Sequence, residues 1–136
     1  MDNCPLIWKN FSANNYFTSF LEDEPHISIF NYEKAGFVEQ PADYYLRPLM
    51  VAHYNHKLNI KKKSRNTKDN CLNGKTSTEF IAQYIKKFTS VVGSRGPYFL
   101  YSWFTGISHD NFNGLKASFS SLSSFSCSKP LFRFPN

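Results

Sequence analysis

A histidine and an aspartate stand together just beyond one strongly hydrophobic stretch. The stretch Tyr98–Thr105 is mostly aromatic or β-branched, follows a Gly-Pro pair and ends at a glycine, which predicts a strand buried on both faces. Ligands of open α/β sheets bind beyond the carboxyl ends of the strands, where His109 and Asp110 are expected. Imidazole is the side chain best suited to transfer a proton near neutral pH, so the pair predicts acid-base chemistry. The competing interpretation, a hydrogen-bonded turn in a polar loop, is the commoner one for such a pair.

Two further groups of side chains have the chemistry of metal ligands. Glu22, Asp23 and Glu24 follow a predicted strand and could hold a cation, but acidic residues also favour a helix N-terminus. We favour the helix there. His53 and His56, three residues apart, could share one helix face. Because the sequence offers no third ligand nearby, two exposed histidines are the preferred interpretation.

A phosphate-binding loop is rejected. Asn73-Gly74-Lys75-Thr76 resembles the end of the G-x-x-x-x-G-K-[ST] pattern, but the first glycine is replaced by Asp69 and a lysine-rich stretch precedes it.

The elements that would position these residues alternate between strands and helices. Thr76 and Glu79 form a capping box, which predicts an amphipathic helix that Gly93 ends. Together with the strand that follows, this helix predicts the α/β class, with helices packed on a small sheet. The other predicted elements are a short helix with Pro5 in its first turn, a strand at Tyr16–Leu21, a helix between Pro25 and Gly36, and a turn with a short segment at Asp43–Leu49.

Composition restricts the function. The chain has 136 residues, 18% of them aromatic, and a net charge of +6, so it can bury the core of one domain. Six basic residues fall between Lys57 and Lys68 without an acid or an aromatic, which is more typical of a solvated loop than of a nucleic-acid groove. Nucleic acid is therefore an unfavoured partner. No apolar run reaches the ~20 residues of a transmembrane helix, and the first residues lack the features of a signal peptide.

The domain prediction has three parts. Residues 1–114 form a partial α/β domain, residues 57–73 are its basic loop, and residues 115–136 are a Ser/Phe-rich tail that we predict to be poorly ordered. Asn10 begins an N-glycosylation sequon, which matters only in an exported protein. The three cysteines, Cys4, Cys71 and Cys127, match no zinc pattern and leave both their pairing and the compartment open.

Several short motifs follow one another between Cys4 and about Gly114. They are Ile7-Trp8-Lys9 with Phe11, Tyr16-x-Thr18 followed by Glu22-Asp23, Phe30-Asn31-Tyr32 with Gly36-Phe37, Asp43-Tyr44-Tyr45-Leu46-Arg47-Pro48, and Ser108-His109-Asp110. In their order and spacing they resemble a family of animal sulfatase-like proteins within the alkaline-phosphatase superfamily, catalogued as domain of unknown function 229. One departure from the family pattern is Asn15, where the family usually has glycine.

The resemblance implies part of an alkaline-phosphatase-like α/β sandwich, in a superfamily that hydrolyses sulfate or phosphate esters with a divalent metal. By position, His109 resembles the sulfatase histidine that contacts the sulfate and helps to protonate the leaving group, and Asp110 would favour its protonated form. By the resemblance, Glu22 and Asp23 occupy the positions where sulfatases have a Gly-Lys pair. A lysine there would attract an anionic ester, whereas carboxylates would repel it. The resemblance also suggests a secreted or extracellular protein.

The superfamily's nucleophile strand and late Asp-His segment are not in this sequence, so we expect no bound cofactor and no turnover by this chain alone. Two other hypotheses remain: a small basic module that binds nucleic acid or an anionic surface through Lys57–Lys68, and a chain that lacks the strands its sheet needs and does not fold stably.

Overall fold

A computed structural model describes residues 1–63, 71–72, 75–106 and 109. Its elements, in chain order, are α1 (Ile7–Ala13), β1 (Phe17–Glu22), β2 (Tyr44–Tyr45), α2 (Arg47–Lys63), β3 (Cys71–Leu72), β4 (Lys75–Thr76), α3 (Ser77–Val91) and β5 (Tyr98–Trp103).

The main sheet is parallel and has the order β2-β1-β5, while β3 and β4 form a separate antiparallel pair. The register between β1 and β5 runs from Phe17 opposite Tyr98 to Glu22 opposite Trp103. Because all three strands run the same way, they end at one edge, here called the carboxyl edge. This arrangement confirms the predicted α/β class.

Helices cover both faces of the sheet because side chains alternate along β1. Phe20 packs with Trp8 of α1 on one face. Leu21 packs on the other face with Met50 of α2 and Ile81 of α3. The sheet is therefore the middle layer between α1 and the pair α2 and α3.

The capping box that opens α3 is confirmed. The Glu79 N–H donates to the Thr76 hydroxyl at 3.2 Å, and the Thr76 N–H donates to the Glu79 carboxylate at 2.9 Å. Ile81 and Phe88 on the apolar face of α3 are buried, and the helix ends just before Gly93. This helix was the most strongly specified in the sequence, and the structure agrees with it closely.

The prediction that Tyr98–Thr105 is buried on both faces is wrong. The strand exists as β5, but its residues are only half-buried and Trp103 is 43% exposed. The buried strand is β1, in which Phe20 and Leu21 are at most 1% exposed. The physical reason is position, because β1 has a hydrogen-bonded strand on each side and β5 pairs, among the described strands, only with β1.

The helix predicted between Pro25 and Gly36 is also wrong, because the structure has turns there. Two residues adopt a positive φ that a helix does not allow, Glu33 at 50° and Gly36 at 74°. Side chains from outside the segment bind its backbone instead, as described below. Gly36 has the left-handed conformation typical of a residue that follows a helix, but here it lies after the turns.

The break expected around Pro48 does not occur. Pro48 lies in the first turn of α2, where a proline needs no N–H partner. The basic loop at 57–73 is corrected in part, because residues 57–63 are the last turns of α2 and Cys71–Leu72 is a strand. Residues 64–70 lie outside the described part of the chain, so the basic-module hypothesis stays a prediction.

At the other end of the chain, Pro5 precedes α1 instead of lying in its first turn. The connection from α1 to β1 contains Asn15 at a φ of 61°. Glycine reaches this conformation without strain, and asparagine is among the few other residues that tolerate it. The departure from the family pattern at Asn15 is therefore compatible with the turn.

Asp110 and the tail at 115–136 also lie outside the described residues. Within the residues that the structure does describe, none of the helices has both the length and the apolar character needed to cross a bilayer.

Candidate functional site

Asp23 is the structural centre of the carboxyl edge. Its side chain is 1% exposed and accepts hydrogen bonds from three groups on two other elements. Oδ1 accepts from the Thr105 N–H at 2.7 Å, and Oδ2 accepts from the Gly106 N–H at 3.2 Å and from the Thr78 hydroxyl at 3.1 Å. The carboxylate thus joins the end of β1 to the loop after β5 and to the first turn of α3, where negative charge is favourable.

Glu22 lies on the opposite face of the same strand end. It is 2% exposed, and Oε1 accepts a 2.9 Å hydrogen bond from the Ile29 N–H. Among the described residues, no group lies in good hydrogen-bond geometry to the buried Oε2, although the Ser28 side chain is close enough to influence the carboxyl. Burial raises the pKa of this carboxyl above its ordinary 4.5, although the Ile29 N–H and the Arg47 guanidinium act in the opposite direction.

Arg47 at the start of α2 binds the segment after β1, which also contains Ile29. Its guanidinium donates to the Pro25 carbonyl and, at 3.2 Å, to the hydroxyl of the fully buried Ser28. Glu22 and Arg47 together bind the backbone or side chains of Pro25, Ser28 and Ile29. These contacts explain why the segment after β1 forms ordered turns instead of the predicted helix.

His109 lies in the loop that Asp23 holds. Its N–H donates to the Thr105 carbonyl at 2.9 Å, and its side chain is exposed. The structure therefore brings the His109 segment and the Glu22-Asp23 pair to the same edge of the sheet. The sequence placed each segment after a strand, whereas their meeting at one edge is a finding of the structure. The favoured interpretation of the acidic residues as a helix start is wrong, because turns follow them.

The described carboxyl edge does not fit a divalent metal ion. Mg²⁺ and Ca²⁺ take six or more oxygen ligands, whereas both oxygens of Asp23 and Oε1 of Glu22 already accept protein N–H or hydroxyl groups. Within the described residues, no group of three or more His, Cys, Asp or Glu side chains could hold a metal.

Of the remaining candidates, only His53 lies beside Asp23. His53 is half-buried on α2 and lines a small cleft with Asp23 and Ser77, whereas His56 is exposed. The cleft has a volume of about 220 Å³ including space open to solvent. Asn10 is exposed on α1, which makes its side chain accessible, but its sequon lies within a helix.

Sequence reasoning missed three residues of this edge: Thr78, Ser28 and Arg47. The signal for Arg47 was present, because it precedes Pro48 in a segment that carries the family resemblance. A lone arginine and a lone serine have no spacing pattern of their own, and only the folded chain brings them to Glu22.

Replacing Glu22 with glutamine tests the buried carboxyl. Because its pKa is raised, the folded state holds the proton more tightly than the unfolded state. The stabilising contribution is full below the ordinary value of 4.5 and is lost as the pH rises through the raised pKa. We expect the unfolding free energy of the parent chain to fall over this window relative to Glu22→Gln, which still offers an oxygen to the Ile29 N–H.

The measurement is urea unfolding of both proteins between about pH 4 and pH 8. Asp2 has a lowered pKa because it accepts the Glu39 and Val38 N–H groups, but its contribution is common to both proteins and cancels. Parallel pH profiles for the two proteins would contradict the prediction.

The fold and the site define an α/β protein whose parallel sheet ends in two buried, hydrogen-bonded carboxylates. A family described as "Protein of unknown function (DUF229)" matches residues 1–125. The chain belongs to that family, which confirms the family part of the resemblance. None of the curated proteins and none of the solved structures compared with the chain matches it.

Proposed function

We propose that this chain is a sulfatase-like domain of the alkaline-phosphatase superfamily, that His109 contacts a sulfate or phosphate ester, and that the chain alone has no turnover. The observation that carries the proposal is the position of His109. It is exposed, beyond the carboxyl end of a strand in a parallel sheet, in a loop anchored to the neighbouring strand by Asp23. Ligands of such sheets bind at this edge.

The lack of turnover follows because the two carboxylates already accept hydrogen bonds from the protein. Asp23 and Glu22 are buried and hold backbone groups, so they are not disposed to activate water or to bind a metal. An exposed imidazole without a nucleophile supplies at most acid-base assistance, about 10²–10⁴-fold. The role of His109 in this proposal is therefore to bind the ester and to hold a proton near its leaving group.

The direct test is imidazole NMR with phenyl phosphate and phenyl sulfate as probes. The chain has four histidines, which single substitutions assign. At about pH 6, where imidazole is partly charged, we expect saturable shifts of the His109 resonances. We expect His109→Ala to weaken binding about fivefold to tenfold, the range of one exposed charge-assisted contact.

His56→Ala is the matched control, because His56 is also an exposed histidine but lies on α2 and not in the loop after β5. Equal shifts at His56 and His109, or none at His109, would refute the binding role. Ester hydrolysis with Mg²⁺, Ca²⁺ or Zn²⁺ that disappears in His109→Ala would refute the lack of turnover.

A further inference from the structure

The outer side of β5 carries backbone groups that do not face β1. Hydrogen bonds at both ends of the strand fix the pattern: the Phe17 N–H donates to the Pro97 carbonyl at 3.0 Å, and the Asp23 N–H donates to the Trp103 carbonyl at 3.4 Å. In a parallel ladder, alternate residues bond to the same neighbour. The backbone N–H and C=O groups of Phe99, Tyr101 and Trp103 therefore point towards β1. The N–H and C=O groups that point away from β1 belong to Tyr98, Leu100 and Ser102.

Within the described part of the chain, the sequence of β5 has none of the features that usually protect an edge strand. Natural edges are blocked by charged residues, prolines, bulges or very short strands. The six residues of β5 include no charge, proline or glycine, and their register with β1 has no bulge. Among the described strands, none pairs with β5 on this side. The chemical complement of such a row of N–H and C=O groups is another extended strand.

We propose that the β5 edge pairs with the β5 edge of a second copy of this chain, antiparallel about a two-fold axis at Leu100. Leu100 then lies opposite its own symmetry mate, and Tyr98 lies opposite the partner subunit's Ser102. All outward N–H and C=O groups of the strand are used, because each such pair exchanges two hydrogen bonds. The two sheets become one continuous sheet, and the contact closes on itself as a dimer.

Charge favours a second copy in this orientation. Arg95 is exposed just before β5, and the loop after β5 lies against an acid, since a Cβ added at Gly106 would be 3.1 Å from Glu24 Cγ. Antiparallel pairing about Leu100 places Arg95 of one copy next to the Thr105–Gly106 loop of the other. Opposite charges then meet at both ends of the interface, whereas a parallel arrangement would bring the two Arg95 side chains together.

The test is sedimentation equilibrium of the full chain over a concentration series, comparing Ser102→Pro with Ser102→Ala. Proline removes the outward N–H, whereas alanine keeps it and removes only the hydroxyl. Ser102 donates no N–H to β1, so the proline does not break the pairing within the chain. We expect Ser102→Pro to raise the dimer dissociation constant about thirtyfold or more, because one donor is lost from each copy. Ser102→Ala should stay within about threefold of the parent.

A charge exchange keeps the proposal testable if the proline variant fails to fold. Arg95→Glu and Glu24→Arg should each weaken the dimer about fivefold, and the double variant should restore it. Amide exchange gives an independent measurement. The Tyr98, Leu100 and Ser102 amides should gain protection with concentration, whereas those of Phe99, Tyr101 and Trp103 should be protected at all concentrations.

Several results would overturn the proposal. A parent chain that is monomeric up to about 0.5 mM, well above a typical weak dimer constant, would do so, as would a dimer that Ser102→Pro leaves unchanged. Protection of the three outer amides that does not depend on concentration would mean that another part of the same chain covers the edge. Open-ended aggregation would refute the closed two-fold pairing.

Discussion

Asp23→Ala is expected to lower the free energy of unfolding by about 3–5 kcal/mol, the cost of leaving a buried polar network without its central acceptor. The carboxylate is the shared acceptor for the Thr105 and Gly106 N–H groups and the Thr78 hydroxyl. Alanine leaves these donors in a site from which water is largely excluded. Since small domains have only about 5–15 kcal/mol of stability, the variant should be close to unfolding.

Urea unfolding at neutral pH measures the loss, with Glu39→Ala as the matched control. Glu39 is an exposed acid for which we expect a change of at most about 0.5 kcal/mol. The loss of unfolding free energy for Asp23→Asn should lie between those for Asp23→Ala and Glu39→Ala, because an amide keeps one acceptor oxygen but presents an NH₂ group to donors. A loss below about 1 kcal/mol for Asp23→Ala would show that these hydrogen bonds do not join the elements as described.

Phe20→Ala is expected to cost about 3–5 kcal/mol, the usual range for removing a buried aromatic ring. Phe20 is 1% exposed at the centre of β1, and its ring stacks on Trp8 and Tyr45 with centroid distances of 5.2 and 5.6 Å. Rings from α1, the loop after β1 and two neighbouring strands all contact it. Removal of the ring leaves a cavity where these elements meet. Because each element is also packed against others, they cannot all move inward to fill it.

Two substitutions calibrate this effect. Phe20→Leu keeps most of the volume and should cost about 1–1.5 kcal/mol. Val38→Ala removes an apolar group that is 92% exposed and should change stability by less than about 0.5 kcal/mol. If thermal and urea unfolding showed Phe20→Ala to be no worse than Phe20→Leu, the aromatic cluster around β1 would not be the core of this face.

If the proposed function is correct, different residues of the carboxyl edge serve stability and ligand binding. Asp23 and Glu22 hold the loops in place, and the exposed His109 is carried by one of those loops. Substitutions at Asp23 should therefore disturb ligand binding indirectly, through loss of the fold.

The sequence by itself determined the elements whose signals are local. The capping box of Thr76 and Glu79 defines the start of α3 because its hydrogen bonds join residues three apart in the chain. The strands β1 and β5 and the α/β class followed from hydrophobic patterning and from the order of the elements. Placing His109 beyond the end of a strand needed no more than that.

Only the tertiary structure decided which strand is central and what the acidic residues do. A six-residue aromatic run does not reveal whether it has one neighbouring strand or two. The sequence therefore predicted burial on both faces for β5, whereas the strand that is buried is β1. Glu22 and Asp23 had two local interpretations, and neither included a donor far away in the sequence. Asp23 meets Thr78 and Thr105 because three strand and helix ends converge at one edge, and that convergence is a property of the folded chain alone.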